Sequence, residues 1–342
     1  MNIDIIKKDP HLWNIFTLRH EYTSGQYKKK NNQNDRTIID EPGISAHLLQ
    51  NGIEFNYPDN KPFGVCLTHD VDEIYPPVSH VVYSSVLCLK NRDISLLKKF
   101  LLGKNKKYSP YWNFKKIVSI EQKYDAVSSF YLIASPSDIK RFRYNVEDLE
   151  EELGNVTDQG CEIGLHGGYY SCNDPQAIKS EKERLESVLG KKIIGYRNHY
   201  LQFKIPETWE ILQDLGFTYD TTLGYNEGVG FRNGMCHPFK PYNLITEKSM
   251  DILEIPLIIM DVSLFLQTKN FDMALSTAKK MIDTVEHLNG IITLNWHSNT
   301  FNCPFKKDWE RMYEKILVYC SQKNAWLTNG GEITHWWKTN SF

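Results

Sequence analysis

The 342-residue sequence predicts an α/β fold, a distorted (β/α)7-8 barrel at residues 61–342 preceded by a short N-terminal appendage at residues 1–60. Two observations lead to this prediction. From residue 64 onward, short apolar runs alternate about seven times with amphipathic segments, which implies a mostly parallel sheet. The chain is also long enough for one barrel of about 250 residues with an added segment. If the sheet stayed open, the same pattern would give a doubly wound fold.

Eight apolar runs have the length and the β-branched content of strands. They are Gly64–Thr68, Ala126–Ile133, Cys161–Leu165, Lys192–Tyr196, Phe217–Tyr219, Ile252–Ile259, Ile291–Trp296 and Ala325–Leu327. Proline at the start and glycine just past the end mark helices from Asp174 to Gly190 and from Pro206 to Gly216. Amphipathic periodicity predicts two more, Phe271–Leu288 and Lys306–Gln322.

Composition and charge narrow the functional classes. The net charge of −2 provides no basic field for nucleic acid or for an anionic membrane. No run reaches the ~18 apolar residues of a membrane span, and the N-terminus does not have the pattern of a signal peptide, so we expect a cytoplasmic protein without an integral membrane segment. The seven cysteines form no C-x-x-C pair, which favours reduced thiols over a disulfide framework or a zinc knuckle.

Unusual polar residues lie just past the carboxyl ends of five predicted strands. They are Asp70, Asp72, His166, Arg197, His199, Asp220 and His297. In a barrel these strand ends converge on one face, where active sites form. Each residue alone has a structural explanation, such as turn formation by Asp-x-Asp, but their joint placement predicts a catalytic site.

This set of residue types suits metal-assisted hydrolysis. Histidine and carboxylate ligands can hold a divalent metal with a position open to water. A neighbouring carboxylate can act as a general base, a histidine on the opposite wall can protonate a leaving amine, and an arginine can keep the base ionised. Zn²⁺ is the default metal for such ligands.

At these residues the chain resembles the polysaccharide deacetylase superfamily, the NodB-like carbohydrate esterases, and in particular its divergent members associated with O-antigen or capsule synthesis. The resemblance runs from about residue 62 to 330. Its five pieces are Leu67–Asp72, Glu162–Tyr170, Gly195–Tyr200, Tyr219–Asp220 and Leu294–His297. It implies a distorted (β/α) barrel, in agreement with the strand count.

The resemblance implies that Asp70 is the catalytic base and that Asp72 and His166 are metal ligands. The second motif of the family has two histidines four residues apart, but Tyr170 stands four residues after His166. A ligand must therefore come from elsewhere. His199, two residues past Arg197, is the first candidate to replace it. The weaker candidate is in Met235–Pro238, where His237 stands.

For the remaining motifs, the resemblance implies that Arg197 orients the base, that Asp220 tunes the catalytic histidine, and that His297 is the general acid. The third motif lacks its usual proline, and Tyr219–Asp220 matches the fourth motif only weakly. Tyr170, Tyr200 and Arg232 lie on predicted rim loops and are candidates for substrate binding, although Arg232 fits a structural ion pair equally well.

The resulting hypothesis is a metal-dependent hydrolase that removes an N-acetyl or N-formyl group from an amino sugar. Its substrate would be a nucleotide-linked or lipid-linked intermediate of surface-polysaccharide synthesis. Two alternatives stay open: a catalytically silent barrel that binds a glycan or a partner protein, and an amidohydrolase for a small non-sugar amide. The oligomeric state is left open.

Overall fold

The computed structural model describes residues 3–23, 38–102, 109–136 and 144–340. All eight predicted apolar runs contain strand, and two further short strands form a hairpin. The strands are β1 (Gly64–Val71), β2 (Ser129–Leu132), β3 (Glu162–Gly167), β4 (Gly195–Asn198), β5 (Tyr219–Asp220), β6 (Tyr242–Asn243), β7 (Lys248–Ser249), β8 (Leu253–Glu254), β9 (Leu257–Met260), β10 (Ile291–Asn295) and β11 (Trp326–Thr328). The predicted α/β fold class is confirmed.

One parallel sheet forms the wall of the barrel. Over the described residues its order is β8-β5-β4-β3-β2-β1-β10-β9, with β11 beside the first half of β1. The predicted run Ile252–Ile259 is divided at Pro256, which has no N–H to donate to a strand ladder. The segment before Pro256 pairs with β5, and the segment after it pairs with β10. The chain itself therefore connects the two edge strands of this curled, barrel-like sheet.

Helices cover the outside of this sheet and its amino end. They are α1 (Asp4–Lys7), α2 (Pro10–Phe16), α3 (Arg19–Thr23), α4 (Gly43–Gln50), α5 (Val78–Lys90), α6 (Ile94–Leu102), α7 (Phe114–Glu121), α8 (Glu150–Asp158), α9 (Pro175–Leu189), α10 (Glu207–Asp214), α11 (Asp261–Gln267), α12 (Phe271–His287), α13 (Lys307–Gln322) and α14 (Gly330–Thr339). The capping signals act as predicted in α9, where the Asp174 side chain accepts two backbone N–H groups and Gly190 takes a left-handed φ of 67°.

Residues 3–23 and 38–60 pack into the same core as the barrel. Ile6, Phe16 and Ile44 are buried in the main hydrophobic cluster together with the strand residues. The hydroxyl of Ser45 on α4 also accepts a hydrogen bond from the backbone N–H of Cys236, and it shares a second hydrogen bond with the His237 ring. The predicted N-terminal appendage is thus part of one packed unit with the barrel over its described residues.

The amino end of the barrel is closed by apolar side chains. Trp336 and Trp337 on α14 pack with Phe55 and Tyr57, and all four are buried. Since this end is filled, the polar residues at the carboxyl ends of the strands form the more accessible end of the sheet over the described part of the chain. None of the helices in the described residues combines the length and the apolar character that crossing a bilayer requires.

Candidate metal centre and active site

The structure brings Asp72, His166 and His199 together at the carboxyl ends of β1, β3 and β4. One potential ligand atom from each residue lies within 4.8 Å of the others. Oδ1 of Asp72 is 3.4 Å from Nε2 of His166 and 3.6 Å from Nε2 of His199. Two histidines and one carboxylate form a donor set that suits Zn²⁺ or a similar ion.

The tautomer of His166 also fits a metal ligand. Its Nδ1 lies 3.0 Å from the carbonyl oxygen of Arg197, which accepts a hydrogen bond only if Nδ1 carries the proton. Nε2 then presents its lone pair toward Asp72, and neither Nε2 of His166 nor Oδ1 of Asp72 has a well-formed hydrogen bond. A carbonyl oxygen holding the distal ring nitrogen is the usual arrangement behind a metal-bound histidine. The residues present therefore fit a divalent metal.

The electrostatics of the site agree with this interpretation. Burial raises the pKa of Asp72, but His199, His166 and His297 outweigh it and hold that pKa well below its usual range. Burial lowers the pKa of His166, yet the charges of Asp70 and Asp72 raise it overall. Positive charge is thus favoured among these residues, and a cation can supply it in place of protons on the histidines.

A tight turn brings His199 to the metal site. β4 ends at Asn198, and a short 3-10 helix follows at His199–Leu201. Tyr200 within it has a φ of 60°, a left-handed conformation that a non-glycine residue rarely adopts. This turn directs the His199 ring toward His166, with the ring centroids 5.0 Å apart.

Asp70 lies beside the metal trio and is buried. Its Oδ1 accepts a hydrogen bond of 3.0 Å from Arg197, and its Oδ2 accepts one of 2.7 Å from the side-chain amide of Asn295. Oδ2 is also 3.7 Å from Nε2 of His166. Burial raises the pKa of Asp70, but His166, Arg197 and His297 lower it below its usual value, so the carboxylate is ionised at neutral pH.

Arg197 is held rigidly inside the barrel. Its guanidinium donates to the Thr68 hydroxyl at 2.8 Å and to the side chain and carbonyl oxygen of Thr221 at 3.1 Å each. It also lies over the ring of Tyr131, 4.7 Å from the centroid. These contacts fix the direction of the hydrogen bond to Asp70, as the motif match predicts for an orienting arginine. The sequence assigned no role to Asn295, which makes the second hydrogen bond to Asp70.

His297 faces the trio from the opposite side. Its Nε2 is 3.8 Å from Oδ2 of Asp72. Its Nδ1 is 2.7 Å from Oδ1 of Asp261, whose Oδ2 accepts the His297 backbone N–H at 2.9 Å. Burial lowers the pKa of His297, but Asp261, Asp72 and Asp70 raise it to about 9. His297 is therefore protonated at neutral pH and presents Nε2–H to the site.

The carboxylate that contacts His297 is Asp261, whereas the fourth-motif match predicts Asp220 for this position. Asp220 accepts hydrogen bonds from the hydroxyl and the backbone N–H of Thr222, and it pairs with Glu254 on the adjacent strand. Asp261 follows β9 directly, so the rule that polar residues follow strand ends would have found it. The predicted strand ends at Ile259, two residues before Asp261, so the sequence pattern assigned no role to this residue.

Solved structures match the chain over most of its length. A protein described as a polysaccharide deacetylase from Mycobacterium smegmatis is 18% identical, with a TM-score of 0.57 over 84% of this chain and 94% of its own. PuuE allantoinase is 12% identical, with a TM-score of 0.57 over 92% and 98%. A protein described as a polysaccharide deacetylase from Pseudomonas aeruginosa is also 12% identical, with a TM-score of 0.55 over 83% and 93%. The chain has the polysaccharide deacetylase fold.

The fold predicted from the five motifs is thus confirmed at the level of structure. No family model matches the sequence, and no curated protein does. His199 on the turn after β4 approaches Asp72 and His166, whereas Tyr170, four residues after His166, is exposed at the rim.

The remaining candidates have different environments. Tyr170 and Tyr200 are exposed at the rim, and Tyr169 between them contacts both rings edge-on. Arg232, predicted to bind substrate, is buried and donates two hydrogen bonds to Glu21 on α3 at 2.9 and 3.0 Å. Its charge is thus neutralised inside the protein.

His237, the second candidate ligand, also lies away from the metal trio. Its two ring nitrogens are each 2.9 Å from a partner, the Ser45 hydroxyl and the carbonyl oxygen of Asn289. Burial lowers the pKa of His237 to about 4, so it is neutral and structural. His69 is buried as well, with its ring nitrogens 2.8 Å from the carbonyl oxygen of Trp296 and 2.9 Å from Glu121, so it packs away from the metal trio.

Proposed function

We propose that this chain is a metal-dependent hydrolase that removes an N-acetyl or N-formyl group from an amino sugar. One observation carries the proposal. Asp72 lies between two histidines on one side, His166 and His199, and His297 on the other, and the ionised carboxylate of Asp70 lies next to His166. This arrangement has a metal site, a base and an acid around one small space. A barrel that only binds a glycan has no need of it.

Asp72, His166 and His199 would hold the metal, with Zn²⁺ as the expected ion. A bound divalent ion would supply Lewis acidity toward a carbonyl oxygen and lower the pKa of water. The chain's own residues provide the remaining chemistry.

Asp70 acts as the general base. Its depressed pKa keeps it ionised, and the hydrogen bonds from Arg197 and Asn295 fix its orientation. It accepts a proton from the water molecule that attacks the amide carbonyl carbon. Because Arg197 contacts Asp70 through a geometry held by Thr68 and Thr221, the base does not need to reorganise as the reaction proceeds.

His297 acts as the general acid on the other side. The Asp261 carboxylate accepts a hydrogen bond from Nδ1–H of His297, so Nε2–H points into the site. When the C–N bond breaks, the departing nitrogen takes the proton from Nε2 and leaves as an amine, while the acyl group leaves as acetic or formic acid. Asp70 then releases its proton to solvent and His297 regains one, which restores both residues.

An amino sugar is the proposed substrate class because of the aromatic rim. Tyr170 and Tyr200 are exposed next to the metal trio, and the Tyr200 ring lies 4.4 Å from that of His199 between centroids. Exposed tyrosine rings beside a polar site provide apolar faces for stacking on a sugar ring. We place the reaction in surface-polysaccharide synthesis on the basis of the motif resemblance.

The first experiment measures the metal content of purified protein and acyl release in parallel. Wild type is compared with His199→Ala and with His335→Ala, a matched control on the exposed face of α14. We expect about one metal ion per chain in wild type and in the control, and a loss of tenfold or more in metal affinity in His199→Ala. Substrates are N-acetyl and N-formyl amino sugars, free, nucleotide-linked and lipid-linked, together with small non-sugar amides.

The outcomes separate the three functional hypotheses: an amino-sugar deacylase, an amidohydrolase for small amides and a silent binding barrel. Metal binding with acyl release from amino sugars supports the proposal. Metal binding with turnover of small non-sugar amides alone would make the chain an amidohydrolase of a different specificity. Wild type that takes up no metal, even after incubation with zinc, would overturn the mechanism and favour a silent binding barrel.

A further inference from the structure

Exposed apolar side chains are concentrated in one helical hairpin, formed by α5 and α6 at residues 78–102. Among the described residues, thirteen large apolar side chains are exposed, and eight of them lie in this 25-residue segment. The eight, which are 53% to 78% exposed, are Val78, Val82, Tyr83, Val86, Leu89, Ile94, Leu101 and Leu102. Such a concentration on a protein surface marks an interaction site rather than random exposure.

The apolar residues form a continuous stripe on α5. Val78, Val82, Val86 and Leu89 follow one another at spacings of four, four and three residues, which places them on one face of the helix. The opposite face of α5 is already occupied. Ser84 on this face is buried, and Cys88 packs in a small cluster with Phe100 on α6 and with Tyr111. The outer stripe is therefore additional to what the fold requires.

The same segment has the opposite charge to the whole chain. It contains Lys90, Arg92, Lys98 and Lys99 but only one acidic residue, Asp93, so its formal charge is 4 − 1 = +3 against −2 for the chain. Lys98 and Lys99 are exposed on α6 near Leu101. Apolar side chains flanked by lysine and arginine are the composition of helices that lie at the interface of an anionic bilayer.

The hairpin is attached to the loops that carry the active site. α5 begins six residues after Asp72, and at the other end of the hairpin the Ser109 hydroxyl donates to the carbonyl oxygen of Ile74 at 2.5 Å. The Asn113 side-chain amide then donates to the carbonyl oxygens of Ser298 and Phe301, just past His297, at 2.9 Å each. A surface bound by the hairpin would thus lie beside the mouth of the site.

We propose that the α5–α6 hairpin docks the protein on the surface of an anionic lipid bilayer. Helices of 13 and 9 residues are too short to span a bilayer, so the docking is peripheral, with the valine and leucine side chains in the interface and the basic heads at the phosphates. The positive charge favours this occupant over a second copy of the chain, because two such hairpins would repel each other.

Docking also refines the substrate class, and this refinement rests on the proposed function. An active site held at a bilayer surface meets an amino sugar carried on a lipid more often than one carried on a soluble nucleotide. A lipid-linked amino sugar is therefore the expected substrate.

Vesicle flotation tests the docking without any need for activity. Wild type is mixed with vesicles of phosphatidylcholine alone or with about one third phosphatidylglycerol. The hairpin variant is Val82→Gln/Val86→Gln/Leu89→Gln, and the matched control is Ile245→Gln/Leu266→Gln/Met273→Gln, which changes three exposed apolar residues elsewhere. A charge variant, Lys98→Gln/Lys99→Gln, leaves the apolar stripe intact. Equal thermal unfolding temperatures check that each variant folds.

We expect at least tenfold stronger binding of wild type to the anionic vesicles, weakened by salt and by the charge variant. The hairpin variant should bind the anionic vesicles at least tenfold more weakly than wild type, and the control should bind them as wild type does. Equal flotation of wild type and the hairpin variant would overturn the proposal. So would a wild-type dimer, seen by light scattering, that only the hairpin variant dissociates, because the partner would then be a second copy.

Two further measurements keep this proposal separate from the proposed function. Asp70→Asn should float like wild type although it is inactive, and the hairpin variant should keep its metal. If the hairpin variant loses only turnover of the lipid-linked substrate in vesicles and keeps turnover of a soluble amino sugar, the refinement of the substrate class stands. Loss of both would contradict it.

Discussion

The barrel contains two pairs of carboxylates, and their surroundings give them opposite ionisation. Asp70 and Asp72 have histidine and arginine neighbours, which outweigh burial and lower both pKa values. Asp220 and Glu254 are buried too, but most of their partners are neutral donors, such as the Thr222 hydroxyl and the Trp209 indole N–H. Burial raises the pKa of both, and that of Glu254 most, so this pair holds a proton between its members.

The comparison shows what distinguishes an ionised carboxylate from a protonated one in this fold. Both pairs lie on the wall of the same barrel, and a strand position cannot separate them. The difference lies in the partners: the Arg197 guanidinium lies 3.0 Å from Asp70, and Nε2 of His166, which can bind a cation together with the carboxylate, lies 3.4 Å from Asp72. An ionised carboxylate can take up a proton or bind a metal, whereas a carboxyl group that keeps its proton at neutral pH can do neither.

Asp70→Asn gives the largest expected effect. The amide keeps the size of the side chain but cannot accept the proton of water, so kcat/KM for acyl release should fall by about 10²–10⁴-fold. Because Asp70 is outside the predicted ligand set, metal content should stay at the wild-type level. Steady-state kinetics and metal analysis on the same preparation check both statements.

The matched control for this variant is Asp220→Asn in the other pair. It removes one carboxylate of a pair that shares a proton, so kcat/KM should stay close to that of wild type. If Asp220→Asn lost as much activity as Asp70→Asn in a folded protein, the distinction between the two pairs would be wrong.

Asp261→Asn should have the next largest effect. The charge of Asp261 raises the pKa of His297 to about 9. Without that charge the pKa falls, and because the acid must be protonated to act, the alkaline limb of the profile of kcat/KM against pH should move to lower pH. Activity at neutral pH should fall about 10²-fold, since the amide also disturbs the tautomer of His297.

The pH profile decides between Asp261 and Asp220 as the partner of His297. Asp220→Asn should leave the alkaline limb where wild type has it. A limb that moves in Asp220→Asn but not in Asp261→Asn would restore the assignment made from the fourth motif and contradict the 2.7 Å contact between His297 and Asp261.

The fold could be predicted from the sequence because parallel strands buried on both faces read as apolar runs. All eight runs contain strand. The division of Ile252–Ile259 was missed, although Pro256 within it signals an interruption. The connection between the two edges of the sheet depends on that division, because one half pairs with β5 and the other with β10.

The candidate site could be predicted in part, from polar residues that follow strand ends. This rule placed Asp70, Asp72, His166 and His297 at one face, where the structure has them. It pointed to Asp220 and not to Asp261, because the predicted strand ended at Ile259, and the rule alone does not say which strand end lies beside His297. The partner of Arg232 could not be predicted from the sequence either, because Glu21 is 211 residues away in the chain and contacts Arg232 through the packing of α3.

Glu254→Gln gives the smallest effect and tests the second pair directly. The folded protein holds a proton on Glu254 above the ordinary pKa of the group, whereas the unfolded chain releases it. Wild type therefore loses up to about 1.4 kcal/mol of unfolding free energy per pH unit as the pH rises from about 5 toward the folded pKa. Glutamine does not titrate, so the difference in unfolding free energy between the variant and wild type should grow in favour of the variant by that amount per pH unit as the pH rises. Denaturant unfolding at several pH values measures it, and a difference that stays constant with pH would mean that Glu254 is already ionised in the folded barrel.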